Sequence, residues 1–208
     1  MQTRSHAFRR DDLVAGHAVL DFVNTVTARN AEPVDWLDGY AAVLSWAALT
    51  GRFAPADLNR LGRLSTADPV AAARSLEGLR ELREAVHRLV SAVIADERPP
   101  ADALARLEAT WRDAVGAARL VLEDRRSRLQ LSIESSGLDY IAHDLALSAI
   151  DLLQALPLDR TRVCSGSSCG WLFIDSSKAG RRRWCDMATC GNAAKSRRHR
   201  ERRNASTG

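Results

Sequence analysis

The chain switches between two hydrophobic periods, and each switch marks a change of element. Val19, Phe22, Val23 and Val26 recur at helical spacing after Gly16. This predicts a short buried helix, with a strand as the alternative because the run is rich in β-branched residues. Glu32-Pro33 marks a turn, after which Trp36, Leu37, Tyr40, Val43, Leu44 and Ala47 form one stripe over 36–49 that Gly51 ends. A short helix over 56–64 follows Pro55, and Asp68-Pro69 opens the longest one, since proline suits a first turn. Leu76, Leu79, Leu82, Val86, Leu89 and Val93 hold its period as far as Pro99-Pro100. Residues 101–114 predict another helix with Leu104, Leu107 and Trp111 turned inward.

The period then falls to two. Ala118, Leu120 and Leu122 alternate with polar or outward positions, as do Leu129, Leu131 and Ile133, with Asp124-Arg-Arg-Ser127 as a polar turn between them. The pattern predicts a β-hairpin with one face against the helices, because a lone hairpin is marginal in water. Leu138, Ile141, Leu145, Ala149, Leu152 and Leu156 restore the helical stripe until Pro157. Beyond it, 171–174 reads as a strand that pairs as a short ribbon with 181–184 across 176–180. The fold class is mainly α (α+β): a helical N-terminal domain over 1–158 with one hairpin, then a small ribbon-like module over 159–208 that ends in a basic helix.

The four cysteines all lie in that module. Cys164 and Cys169, then Cys185 and Cys190, form two C-x4-C pairs, each followed by a glycine expected to take positive φ. Paired thiols at this spacing fit one structural Zn²⁺, four-coordinate and with no position left for water, better than a disulfide pair. Trp171, Phe173 and Trp184 are expected to pack over the metal, because so small a module has no other core. Met1 to Arg10 is polar and basic with no apolar run after it, so the thiols are expected to stay reduced in the cytoplasm.

Charge separates the two regions further. The formal charge is +4, but residues 160–208 hold twelve Arg or Lys against three acids, leaving +9 there and −5 on residues 1–159. A basic appendage on an acidic body points to a polyanion, here nucleic acid. Arg181, Arg182 and Arg183, then Lys195, Arg197, Arg198, Arg200, Arg202 and Arg203, are the candidate phosphate contacts, and Asn192 is a candidate helix cap or base contact. No apolar run is long enough to span a membrane.

Asp21, Asn24 and Thr25 interrupt the apolar run after Gly16, where anchoring of nearby backbone is the ordinary role. Asp21 and Asn24 with Trp36, Trp46 and Trp111 are the candidate lining of a small-molecule effector pocket. His143, Asp144 and Asp151 read as polar positions on a helix surface. Residues 1–159 carry no GxSxG, HExxH, P-loop or dinucleotide fingerprint and no cysteine, which argues against an enzyme.

Two C-x4-C pairs, an aromatic strand, Arg183-Trp184-Cys185 and Cys190-Gly191-Asn192 together resemble the CGNR zinc fingers, with Ala193 in place of the family's arginine. Leu20-Asp-Phe-Val-Asn-Thr25 gives the rest of the chain a weaker resemblance to the ABATE domain that accompanies this finger. The resemblance implies a bacterial, stress-induced transcription regulator: the finger on DNA, and the helical domain sensing a ligand or mediating assembly. A single finger is expected to have modest specificity, so two chains, a homodimer, are expected for a defined operator. The alternative is a zinc-stabilised protein-interaction module without specific DNA binding.

Overall fold

The computed structural model describes residues 1–123 and 125–205, with the side chains of Arg126, His199 and 202–205 outside that description. After β1 (Gln2–Thr3) and a 3₁₀ turn at Arg10–Asp12, α1 (Ala18–Val23) starts where His17 Nδ1 accepts the Val19 N–H at 3.2 Å. The helical option therefore wins for this run, and nearly all of α1 is buried. Two short strands, β2 (Val26–Thr27) and β3 (Val34–Asp35), join β1 in a sheet of order β1-β3-β2 that the periodicity missed, because two-residue strands carry no pattern.

The helices follow as α2 (Tyr40–Thr50), α3 (Pro55–Ala67), α4 (Pro69–Ile94) and α5 (Ala101–Ala117). Helix α2 starts later than the stripe suggests. Asp35 Oδ1 accepts the Leu37 N–H at 2.9 Å, so Trp36 and Leu37 belong to a loop whose side chains still pack inward. Gly51 closes α2 in the left-handed conformation, at φ 66°. Asp68 caps α4 by accepting the Ala71 N–H at 2.9 Å, and Pro69 occupies its first turn.

The hairpin comprises β4 (Arg119–Glu123) and β5 (Arg126–Gln130) in antiparallel register, Leu120 opposite Leu129. Its apolar face does not meet the helices. Leu120 and Leu122 are 73% and 75% exposed, and Leu104 of α5 also faces solvent. Ile133 leaves the strand for a single turn, α6 (Ile133–Ser136), because Ser132 accepts the Ser135 N–H and caps it. A 3₁₀ turn at Gly137–Asp139 leads into α7 (Tyr140–Gln154), which packs on α4 and α5.

The C-terminal segment contains β6 (Thr161–Val163), β7 (Leu172–Ile174), a π-type turn at Met187–Gly191 and α8 (Asn192–Ala205). Strand β7 pairs with β6, not with 181–184. The stretch before the second cysteine pair is held otherwise: buried Asp175 accepts the N–H groups of Ser177 and Arg182 at 2.9 and 2.8 Å, and Ser165 donates to the Arg183 carbonyl at 2.8 Å. Those backbone groups cannot also serve a ladder. Among the described residues no helix is long and apolar enough to cross a membrane.

One hydrophobic core runs through both regions, joining Phe22, Trp46, Leu79 and Leu145 to Trp171, Leu172 and Phe173. Inside it Arg83, fully buried, forks onto both Asp35 oxygens at 2.7 Å and donates to Thr25 Oγ1 at 3.1 Å. A bidentate guanidinium–carboxylate pair is the geometry that offsets the desolvation of both charges. Asp35→Ala removes the bidentate partner and leaves Arg83 only the half-exposed Glu84 carboxylate, 3.1 Å from its Nε, and should lower unfolding stability by about 3 kcal/mol in urea titrations. A loss below about 1 kcal/mol would show the pair to be peripheral.

Candidate metal centre and nucleic-acid interface

Two tight turns build the cysteine site. Cys169 donates its N–H to the Gly166 carbonyl at 3.1 Å, and Gly166 and Cys185 point theirs at the Cys164 sulfur at 3.4 and 3.3 Å. A Cβ on Gly166 would sit 3.0 Å from Cys169 Cβ and 3.1 Å from Cys190 Sγ, so a side chain there would press on the ligands. Gly170 holds φ 71°, and a Cβ there would also meet Asn30 Oδ1 at 2.7 Å. Gly191 differs from the expectation of positive φ. It is small because Met187 Sδ would lie 2.8 Å from its Cβ.

All four sulfurs lie within 4.8 Å of one another, Cys169 to Cys185 at 3.7 Å and Cys185 to Cys190 at 3.8 Å. Tetrahedral coordination at about 2.3 Å per Zn–S bond places neighbouring sulfurs about 3.8 Å apart. The donor set therefore fits one structural zinc. The Cys169 and Cys185 thiols and the adjacent backbone N–H groups draw the Cys164 thiol down, whereas Cys164 pushes Cys169 up to about 12 and, with Cys169, raises Cys185. Four such sulfurs ionise together only around a cation.

The site is fastened to the helical region. Buried Asn24 donates to the Leu172 carbonyl at 2.9 Å and accepts the Leu172 N–H at 3.0 Å, and Trp171 Nε1 donates to the Val26 carbonyl at 3.0 Å. Arg29 and Asn30 give their N–H groups to the carbonyls of Cys169 and Ser168, while the Arg29 guanidinium reaches Glu84 on α4 at 2.8 Å. Trp171 and Phe173 thus lie in the core that joins the helices to Cys164 and Cys185, and Trp184 packs alongside. Sequence patterning had no means of finding these partners, which lie up to 148 positions apart.

The five candidate pocket residues do not share a cavity. Asp21 accepts the Ala15 N–H at 2.9 Å, and its carboxyl is pushed up to about 7 by burial. Asn24 is spent on Leu172, and Trp46 is packed against Phe22 with ring centroids 5.4 Å apart. Trp36 stacks on His6 at 3.8 Å and lines a cleft of about 630 Å³ beside Cys169 and Trp171. Trp111 lines a different cleft, of about 620 Å³, with Arg52, Tyr140 and Asp144. His143 is buried, bonded to Ser136 Oγ at 3.0 Å, and not a surface residue of α7.

The basic residues divide by how free they are. Arg182 lies over the Phe173 ring at 4.8 Å and donates to the Cys185 carbonyl, so its guanidinium is occupied by the fold. Arg183 lies over the Trp184 ring at 5.5 Å with its side chain otherwise exposed, as is Arg181. Lys195, Arg198 and Arg200 are exposed on α8 and Arg197 is half-buried; the side chains of Arg202 and Arg203 lie outside the described residues. Asn192 is not the cap. Asp186 takes that role by accepting the Thr189 N–H at 2.8 Å, and Asn192, already helical, donates back to the Ala188 carbonyl at 3.1 Å.

A helical body joined to a four-cysteine site with a basic terminal helix is the architecture of a zinc-finger protein. The CGNR zinc finger family model matches residues 160–203, and the ABATE model, described as "Putative stress-induced transcription regulator", matches residues 16–155. The chain therefore belongs to the ABATE family and carries a CGNR zinc finger. No curated protein matches it.

Protein purified under reducing conditions should carry one zinc per chain by metal analysis. Cys185→Ser should reduce that to near zero while the helical circular dichroism of α4, α5 and α7 persists. Zinc-free wild-type protein that is nevertheless folded around the four thiols would contradict the assignment.

Proposed function

We propose that the protein is a zinc-dependent, DNA-binding transcription regulator. The observation that carries the reading is the launch of α8 from the fourth cysteine: the π-type turn runs through Cys190 straight into the helix, so the metal fixes the start of the basic run. Lys195, Arg198 and Arg200 stand exposed on it, and Arg181 and Arg183 add charge from the loop before Cys185. A helix held at one end by a rigid module and free elsewhere can lie along a duplex, where each neutralised phosphate releases counterions.

Phosphate contacts position a protein without reading bases. Ala193 is exposed in the first turn of α8 and offers no polar group to a base edge. The single finger therefore supplies affinity with modest sequence preference, and the helical region contributes ligand response or assembly.

The test is a mobility-shift titration over about 50 to 200 mM salt, across which affinity should fall steeply, log K dropping about 0.9 per phosphate neutralised. Replacing Arg197 and Arg198 by alanine should reduce that slope by about two and weaken all sequences alike. Truncation after Ala193 keeps all four cysteines and should abolish binding. Salt-independent binding, or binding that survives the truncation, would remove α8 as the interface.

A further inference from the structure

We propose that the free edge of β4 pairs antiparallel with β4 of a second copy, joining two hairpins into one four-stranded sheet across a two-fold axis. Three features of the hairpin support this. Its sheet has two strands, so β4 has an open edge, while β5 borders the cleft against α7 through Arg128 and Leu129. Most of its apolar face is uncovered, Leu120 and Leu122 being nearly free and Leu129 41% exposed at the rim of that cleft. A two-stranded ribbon with a bare hydrophobic face is marginal alone and gains stability from further strands.

The third feature selects the partner. The sequence of β4 is Arg119-Leu-Val-Leu-Glu123, which is self-complementary about Val121. An antiparallel copy centred there sets Arg119 opposite Glu123 of the second copy, Leu120 opposite its Leu122, and the same contacts again by symmetry. Opposite charges and apolar pairs directly across strands are stabilising, and an isologous contact needs such self-complementarity. The edge of β5 fails the same condition. Centred on Arg128, it would oppose two guanidiniums.

The paired sheet would carry the leucines of both copies as one stripe and leave each α8 on its own protomer. The surface is small, so the dimer is expected to be weak and concentration-dependent, in the class of transient contacts. It does not depend on the DNA-binding reading, because it is tested without nucleic acid. If both hold, the two-fold axis supplies paired basic helices for two half-sites.

Sedimentation velocity on the full zinc-loaded chain, over about 1 to 100 μM, should show a monomer–dimer equilibrium for the wild type. Arg119→Glu should weaken association by about tenfold or more, since it puts like charges opposite one another twice, and Glu123→Arg should do so too while also removing the Glu123–Arg128 pair within the hairpin, 3.1 Å. An equimolar mixture of the two variants should recover wild-type association, because every cross-strand pair is then of opposite sign; recovery also shows both variants to be folded. A monomeric wild type, single variants that still dimerise, or a mixture that stays monomeric would each overturn the proposal.

Discussion

Asn24 satisfies both backbone groups of Leu172 from inside the core, and the relation between metal site and helical body depends on that pair of hydrogen bonds. Strand β7 has β6 on one side only; on its other edge the Ala15 carbonyl accepts the Ile174 N–H at 2.8 Å, and without the Asn24 amide the two backbone groups of Leu172 would be buried and unsatisfied. The same stretch of chain is gripped from the other side. Asp35 and Thr25, flanking the β2–β3 loop, meet Arg83 of α4, and Arg29 within the loop meets Glu84. A short run after α1 is thus clamped between the longest helix and the first cysteine turn. The finger is not an appendage on a string; it is seated on residues that the helical core positions.

Zinc and the core then support each other. The metal draws four turn-bound sulfurs together, which fixes the carbonyls of Ser168 and Cys169 that receive Arg29 and Asn30. The core in turn supplies the apolar bed for Trp171 and Phe173, which forty-odd residues around a zinc could not bury alone. The basic charge of α8 follows from the opposite condition. With an almost wholly polar sequence it buries little, and its orientation comes from the turn at Cys190 and the Asp186 cap.

Much of this was legible in the sequence. The long stripe from Leu76 to Val93 and the two C-x4-C pairs pointed to α4 and the metal ligands, because a period sustained over many turns, or a repeated spacing, is a property of the chain itself. The roles of Asp21, Asn24 and Thr25 as backbone anchors were also readable as the ordinary reading of buried polar groups. What the anchors hold was not, since Leu172 and Ala15 are chosen by tertiary packing. The hairpin shows the same limit. Alternation located its strands but did not say which face the body would cover, and here Leu120 and Leu122 are left out. Three tryptophans with Asp21 and Asn24 suggested a pocket, yet Trp46 fills core, Trp36 pairs with His6 and Trp111 lines a separate cleft.

The central claim is that metal site and helical body form one cooperative structure through the segment from α1 to β3. Backbone hydrogen exchange before and after zinc removal by a chelator tests it most directly. Loss of protection should extend beyond residues 160–192 to Val23, Asn24, Arg29 and Trp36, with the middle of α4 still protected. If exchange accelerates only within residues 160–205 and the α1–β3 segment keeps its protection, the two regions are independent and the claimed coupling does not exist.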